Sequence, residues 1–195
     1  TKATTNSGHA EGYQTAANGI SAHSEGYQTL ARSDYSHAEG DKTTAFGTCS
    51  HAEGCSSNVL PTTINFGTTA QNIITTWNTT KFNLAHKDNT HVEGRDCLAL
   101  DIQAHAEGYQ TIASGGSSHA EGYQTIASGP HSHAEGNGTK AYGIASHAEG
   151  DGTTASGNGS HAEGAGTTAS GVQSHAEGYN TTASKSQSHA EGYNT

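Results

Sequence analysis

The sequence predicts an all-β fold: a parallel β-roll, or solenoid, of about twelve fourteen-residue coils with one inserted hairpin-like loop. Three observations carry that expectation. His-x-Glu-Gly recurs twelve times, and ten of the eleven steps between successive motif histidines are fourteen residues long. Inside each repeat, small residues alternate with period two, the pattern of a strand with one buried face. The remaining step, from His51 to His91, is forty residues, one period plus twenty-six. A fixed short period over nearly a whole chain is the signature of a stacked array.

Counted from its His, one repeat reads H-A-E-G-Y-Q-T-I-A-S-G-x-x-S, as in His105 to Ser118. Positions 14, 2 and 4 are small, as at Ser118, Ala120 and Gly122. So are positions 7, 9 and 11, as at Thr125, Ala127 and Gly129. Each repeat therefore holds two short strands whose small residues face each other. The bends fall near positions 5–6 and 11–13, and Gly116, Pro130 and Gly159 in the second bend fit turn chemistry. Coils stacked about 4.8 Å apart would build a rod on the order of 55–60 Å long. The expected division is roll over 1–60, insertion over 61–87 and roll over 88–195.

Composition narrows the class. Of 195 residues only 30% are hydrophobic, 26 are glycine and none is methionine, against about 45–50% apolar in an ordinary globule. Composition alone reads as disorder, but disorder does not require fourteen-residue spacing. The net charge of −10 argues against nucleic acid as a partner. No apolar stretch approaches the length of a membrane span, so no membrane insertion is expected from these residues. No signal peptide is visible, and the start at Thr1 points to a piece of something longer. Cys49, Cys55 and Cys97 form no even disulfide framework and no CxxC. Cys55 and Cys97 sit where other repeats carry Tyr and Thr, which reads as packed thiols.

An interior of Ala, Ser, Gly and Thr buries little apolar area. At roughly 25 cal/mol per Å² it does not offset ordering costs of about 1–2 kcal/mol per residue, so a second burial surface is required. Position 8 varies freely (Leu30, Thr44, Ile112, Lys140, Thr154), so the outer face of strand two is expected to be exposed. The outer face of strand one is uniform. It carries His9 and Glu11, His23 and Glu25, His37 and Glu39, His51 and Glu53, His91 and Glu93, and His105 and Glu107. It continues with His119 and Glu121, His133 and Glu135, His147 and Glu149, His161 and Glu163, His175 and Glu177, and His189 and Glu191. Such uniformity points to a face buried against copies of itself.

Ser-His-Ala-Glu-Gly at 118–122, followed by Thr-x-Ala-x-Gly at 125–129, resembles the core of YadA-like head repeats of trimeric autotransporter adhesins. The resemblance extends to the period and covers all but roughly residues 60–88. The same repeats are similar to His-Ala-Glu-Gly repeats of bacteriophage tail fibres and spikes. The resemblance implies a left-handed roll, a homotrimer around a threefold axis, and a role in surface attachment. In the family the positions matching His119 and Glu121 are apolar and pack at the axis. Here they are ionisable, so a trimer would put three His and three Glu in each layer.

Unpartnered carboxylates at an axis repel by about 4 kcal/mol per close pair, and buried charge survives only when paired. A ring of intersubunit His–Glu hydrogen bonds is the economical solution, with Glu expected to raise the His pKa. Protonating the twelve motif histidines would move the charge from −10 to +2. Three His around an axis can also ligate a transition metal. Occupancy of every layer would however bring cations within about 5 Å of one another, so neither a metal nor another cofactor is expected.

Residues 61–87 hold Trp77, Phe66, Phe82 and an apolar complement, Ile64, Ile73, Ile74 and Leu84, that the repeats lack. Asn78-Thr79-Thr80 between β-rich runs suggests a hairpin turn. Phe66, Trp77 and Phe82 then form either a recognition loop or simply pack onto the roll or a neighbouring subunit. There is no HExxH, GxSxG or P-loop, and Asp34, Asp41, Asp88, Asp96, Asp101 and Asp151 show no pairing, so no catalytic residue is expected. The expected function is a structural module of a trimeric surface fibre, on a virion tail or a bacterial cell surface. Its partners would be its own copies and a host or surface receptor, protein or glycan. A polysaccharide-processing tailspike segment and an ice-binding solenoid are the alternatives.

Overall fold

The computed structural model describes residues 1–59 and 70–195. They form two compact units, Thr1–Gly108 and Tyr109–Thr195. The fold is an all-β parallel solenoid of about thirteen turns with little helix.

In the first unit, strand one of successive coils is His9–Tyr13, His23–Tyr27, His37–Asp41, His51–Ala52 and His91–Arg95. Strand two is Lys2–Ala3, Ala16–Ala17, Leu30–Ala31, Thr43–Ala45, Asn83–Ala85 and Leu98–Ala99. Each strand pairs in parallel with its equivalent one coil away, His9 opposite His23 and Ala16 opposite Leu30. The chain thus alternates between two sheets, and neighbours within a sheet are one period apart. The second unit repeats the scheme, from His119–Tyr123 to His189–Ala190 in one sheet and from Ile112–Ala113 to Thr182–Ala183 in the other.

The interior is as narrow as the small residues require. Ala120, Ala127, Ala134 and Ala141 are fully buried, and the inward hydroxyls of Thr125 and Ser132 are buried with them. Other hydroxyls of the same inward rows tie the coil to its own backbone. Ser118 Oγ donates to Gly115 O at 2.7 Å and closes the bend. Thr153 Oγ1 donates across the interior to Glu149 O at 3.1 Å and ties strand two to the backbone beneath a glutamate.

The bends are left-handed residues at positions 6 and 13, as at Gln124 (φ 55°) and His131 (φ 59°). Gly122 shows why position 4 is glycine. Its φ is +105°, and a Cβ there would overlap the carbonyl oxygen of Gly136 in the next coil.

The insertion departs from the hairpin expectation. Its described part is a helix, Ala70–Thr79, and Thr80 N donates to Thr76 O where the hairpin turn was expected. Ala70, Ile73, Ile74 and Trp77 recur at helical spacing, and Ile73 and Trp77 are the buried pair. β-Branched composition hides that period, and the Thr75 and Thr76 hydroxyls bond back to Gln71 O and Asn72 O. The roll also resumes inside 61–87. Asn83–Ala85 pairs with Thr43–Ala45 on one side and Leu98–Ala99 on the other. The extra residues therefore leave coil four between its two strands, not after it.

Buried Asp96 holds the departure point, accepting from Ser57 N and Ser57 Oγ at 2.6 Å each. Asn83 fills the inward Thr position and donates to Glu53 O and Gly94 O at 3.0 Å each. The outer face of strand two is covered here: Thr44, Leu84 and Leu98 are buried, as is Ile112 in the second unit, against the expected exposure. Cys49 is exposed, Cys55 half-buried and Cys97 buried. Among the described residues no helix is long and apolar enough to cross a membrane.

Candidate functional site

Positions 1 and 3 of each repeat lie two residues apart on a strand, so His and Glu share one outer face. Parallel in-register pairing then turns each into a row. The rings of His23, His37, His51, His91 and His105 stack at 4.6–4.9 Å with planes within 9°. His51 stacks on His91 although forty residues separate them, because the insertion adds no coil. In the second unit, His119 to His189 stack at 4.8–4.9 Å. His9 meets His23 edge-on, at 73°.

In several coils the carboxylate lies beside its own histidine without quite reaching it. His37 Nε2 to Glu39 Oε2 is 3.8 Å and His51 Nε2 to Glu53 Oε2 is 3.7 Å, both outside hydrogen-bond range. Shorter contacts occur at His9 with Glu11, 3.4 Å, and at His161 with Glu149 of the preceding coil, 3.3 Å. The Nε2 atoms of His23, His37, His51, His91, His147 and His175 are buried and lack a hydrogen-bond partner among the described residues. Native proteins leave few such atoms.

At two rings, His51 and His147, the electrostatics run opposite to the sequence expectation within a single chain. His51 is held below the ordinary value of 6.5, first by burial, then by His37 and His91, with Glu39 opposing. His147 is lowered likewise, by burial and then by His133 and His161. A ring sandwiched between two others loses water on both faces and meets two like charges, while the carboxylates remain about one-third exposed.

In the first unit the glutamates border an open groove lined by Glu11, Gly12, Glu25, Gly26, Glu39, Gly40, Glu53 and Gly54. Its floor is bare backbone because position 4 has no side chain. A second row escaped the sequence reading. Tyr13 stacks on Tyr27, Tyr109 on Tyr123 and Tyr179 on Tyr193, at 5.1–5.2 Å. The recurrence of Tyr at position 5 was the available signal.

The aromatics singled out in the insertion behave differently. Trp77 and Phe82 are 4% and 0% exposed, and Trp77 Nε1 donates to Phe82 O at 3.1 Å. Neither is free to touch a receptor. Phe66 lies outside the described residues.

Fold and rows together define, within each unit, β-solenoid repeats with an ionisable face. Residues 106–132, 120–139 and 162–184 match the YadA head domain repeat, and these repeats are YadA-like head repeats. No curated protein matches the chain. The repeats point to a structural module of the adhesin kind, at an extracellular or cell-surface location.

Proposed function

We propose that the chain is a non-enzymatic module of a homotrimeric surface fibre, with the His and Glu rows at the threefold axis. The module positions or performs attachment to a receptor, protein or glycan, as part of a phage tail fibre or spike or of a bacterial adhesin head. The observation that carries this reading is the row of buried imidazole nitrogens without hydrogen-bond partners. A carboxylate from a neighbouring protomer satisfies such a nitrogen, and the glutamate–glycine groove offers the row of acceptors that a neighbour's histidines need. Ladder spacing near 4.8 Å repeats the contact in every coil.

Light scattering on the full chain tests the assembly. The expected mass is three times the 19.9 kDa chain. A combined Glu25→Ala, Glu39→Ala and Glu53→Ala variant should raise the dissociation concentration at least tenfold. A monomeric wild type at micromolar concentration overturns the proposal.

A further inference from the structure

In the second unit the carboxylates do not treat the gaps between coils alike. Glu121 reaches forward to His133 at 3.4 Å, Glu149 to His161 at 3.3 Å and Glu177 to His189 at 3.8 Å. The gaps between those are arranged differently. One donor atom each from His133, Glu135 and His147 lies within 4.8 Å of the other two, and the same holds for His161, Glu163 and His175.

We propose that these two gaps, His133–Glu135–His147 and His161–Glu163–His175, are binding sites for divalent transition-metal ions of the zinc class. Two imidazoles and one carboxylate form a borderline donor set suited to zinc, cobalt or nickel, and leave a fourth position for water. The Nε2 atoms of His147 and His175 are buried without hydrogen-bond partners within the chain, so an ion displaces no intrachain bond there and competes only with a neighbouring protomer's carboxylate. Metal–ligand bonds of about 2.0–2.1 Å put donors about 3.4 Å apart in a tetrahedral set. Binding therefore draws the ring nitrogens together and tilts planes that now lie within 6° and 8° of parallel.

Alternation weakens the electrostatic objection to a filled ladder. The two sites are two coils, about 10 Å, apart, which halves the Coulomb repulsion expected for adjacent gaps. Glu149, lying between them and paired with His161, adds an intervening negative charge. Each ion also carries its own carboxylate. The sites use one chain's residues, so they do not depend on trimer formation.

The test is a zinc count. The full chain, stripped with a chelator and dialysed against zinc at neutral pH, is compared with a Glu135→Gln, Glu163→Gln variant. A second comparison is Asp34→Asn, Asp101→Asn, which removes the same charge at bend positions of the first unit. The first variant should hold two fewer zinc ions per chain than wild type, and the second should equal wild type. A His147→Ala, His175→Ala variant, which keeps every glutamate, should lose the same two. Cobalt substitution should give visible absorption bands that weaken in the first and third variants only. A wild type that retains no zinc, or equal losses in the two charge-matched variants, overturns the proposal.

Discussion

Gly136 and Gly138 stand two residues apart and both have positive φ, yet the structure assigns them different sensitivities. Gly136 has φ +106°, and a Cβ there would overlap the carbonyl oxygen of Gly150 in the next coil. Gly138 has φ +65° with nothing within 4 Å, and Gln110 and Gln124 occupy the same repeat position at φ 55–56°. A side chain forced into the glycine-only region costs about 1–3 kcal/mol. Displacing the packed neighbour adds about 1–3 kcal/mol. Gly136→Ala should therefore lose about 4 kcal/mol locally, whereas Gly138→Ala should lose about 1 kcal/mol.

Hydrogen exchange on the native protein reads this locally, which suits a repeat whose coils contact only their neighbours. The His147 and Asp151 amides donate to Ser160 O and Gly164 O at 2.9 Å each. Their protection should fall about a thousandfold in Gly136→Ala and about tenfold or less in Gly138→Ala, at roughly 1.4 kcal/mol per decade. Equal losses in the two variants would refute the argument that the facing carbonyl, rather than φ alone, dictates glycine at position 4.

Three further outcomes follow from the geometry. His51 is lowered in the folded chain, so its contribution to stability is full above the ordinary value of 6.5 and is lost as pH falls through its lowered value. The melting temperature should drop on acidification from about pH 8 to about pH 5, and less so in His51→Gln. A melting temperature that rises on acidification would mean that carboxylate pairing outweighs burial. Trp77→Ala should destabilise the helix region by about 3–5 kcal/mol, and Trp77→Phe by about 1–2 kcal/mol, through the donor lost to Phe82 O. Exchange of the Ala70–Thr79 amides measures both. The emission of this sole tryptophan should be blue-shifted and shielded from iodide, and ready quenching would contradict its burial.

Much of the roll was legible because its rules are local. Alternating small residues can bury only one face of a strand, and Thr125, Ala127 and Ala120 are buried as that alternation requires. The bends fall within the expected windows, at Gln124 and His131. His and Glu at positions 1 and 3 share a face through strand geometry alone. The insertion was not legible in the same way. Ile73, Ile74 and Trp77 fit a helical period, but their β-branched neighbours give the opposite local preference, and tertiary burial decided between them.

Sequence by itself determined the coil: its fourteen-residue length, its two strands, its small interior and its single ionisable face, since each depends on residues within one period. Tertiary structure alone decided what stacking does to those residues. It laid His51 on His91 across forty residues, lowered the proton affinity of rings that lose water to their neighbours, and set the alternation of ion pairs and open gaps along the second unit. These properties belong to spacing between coils, which no single repeat contains.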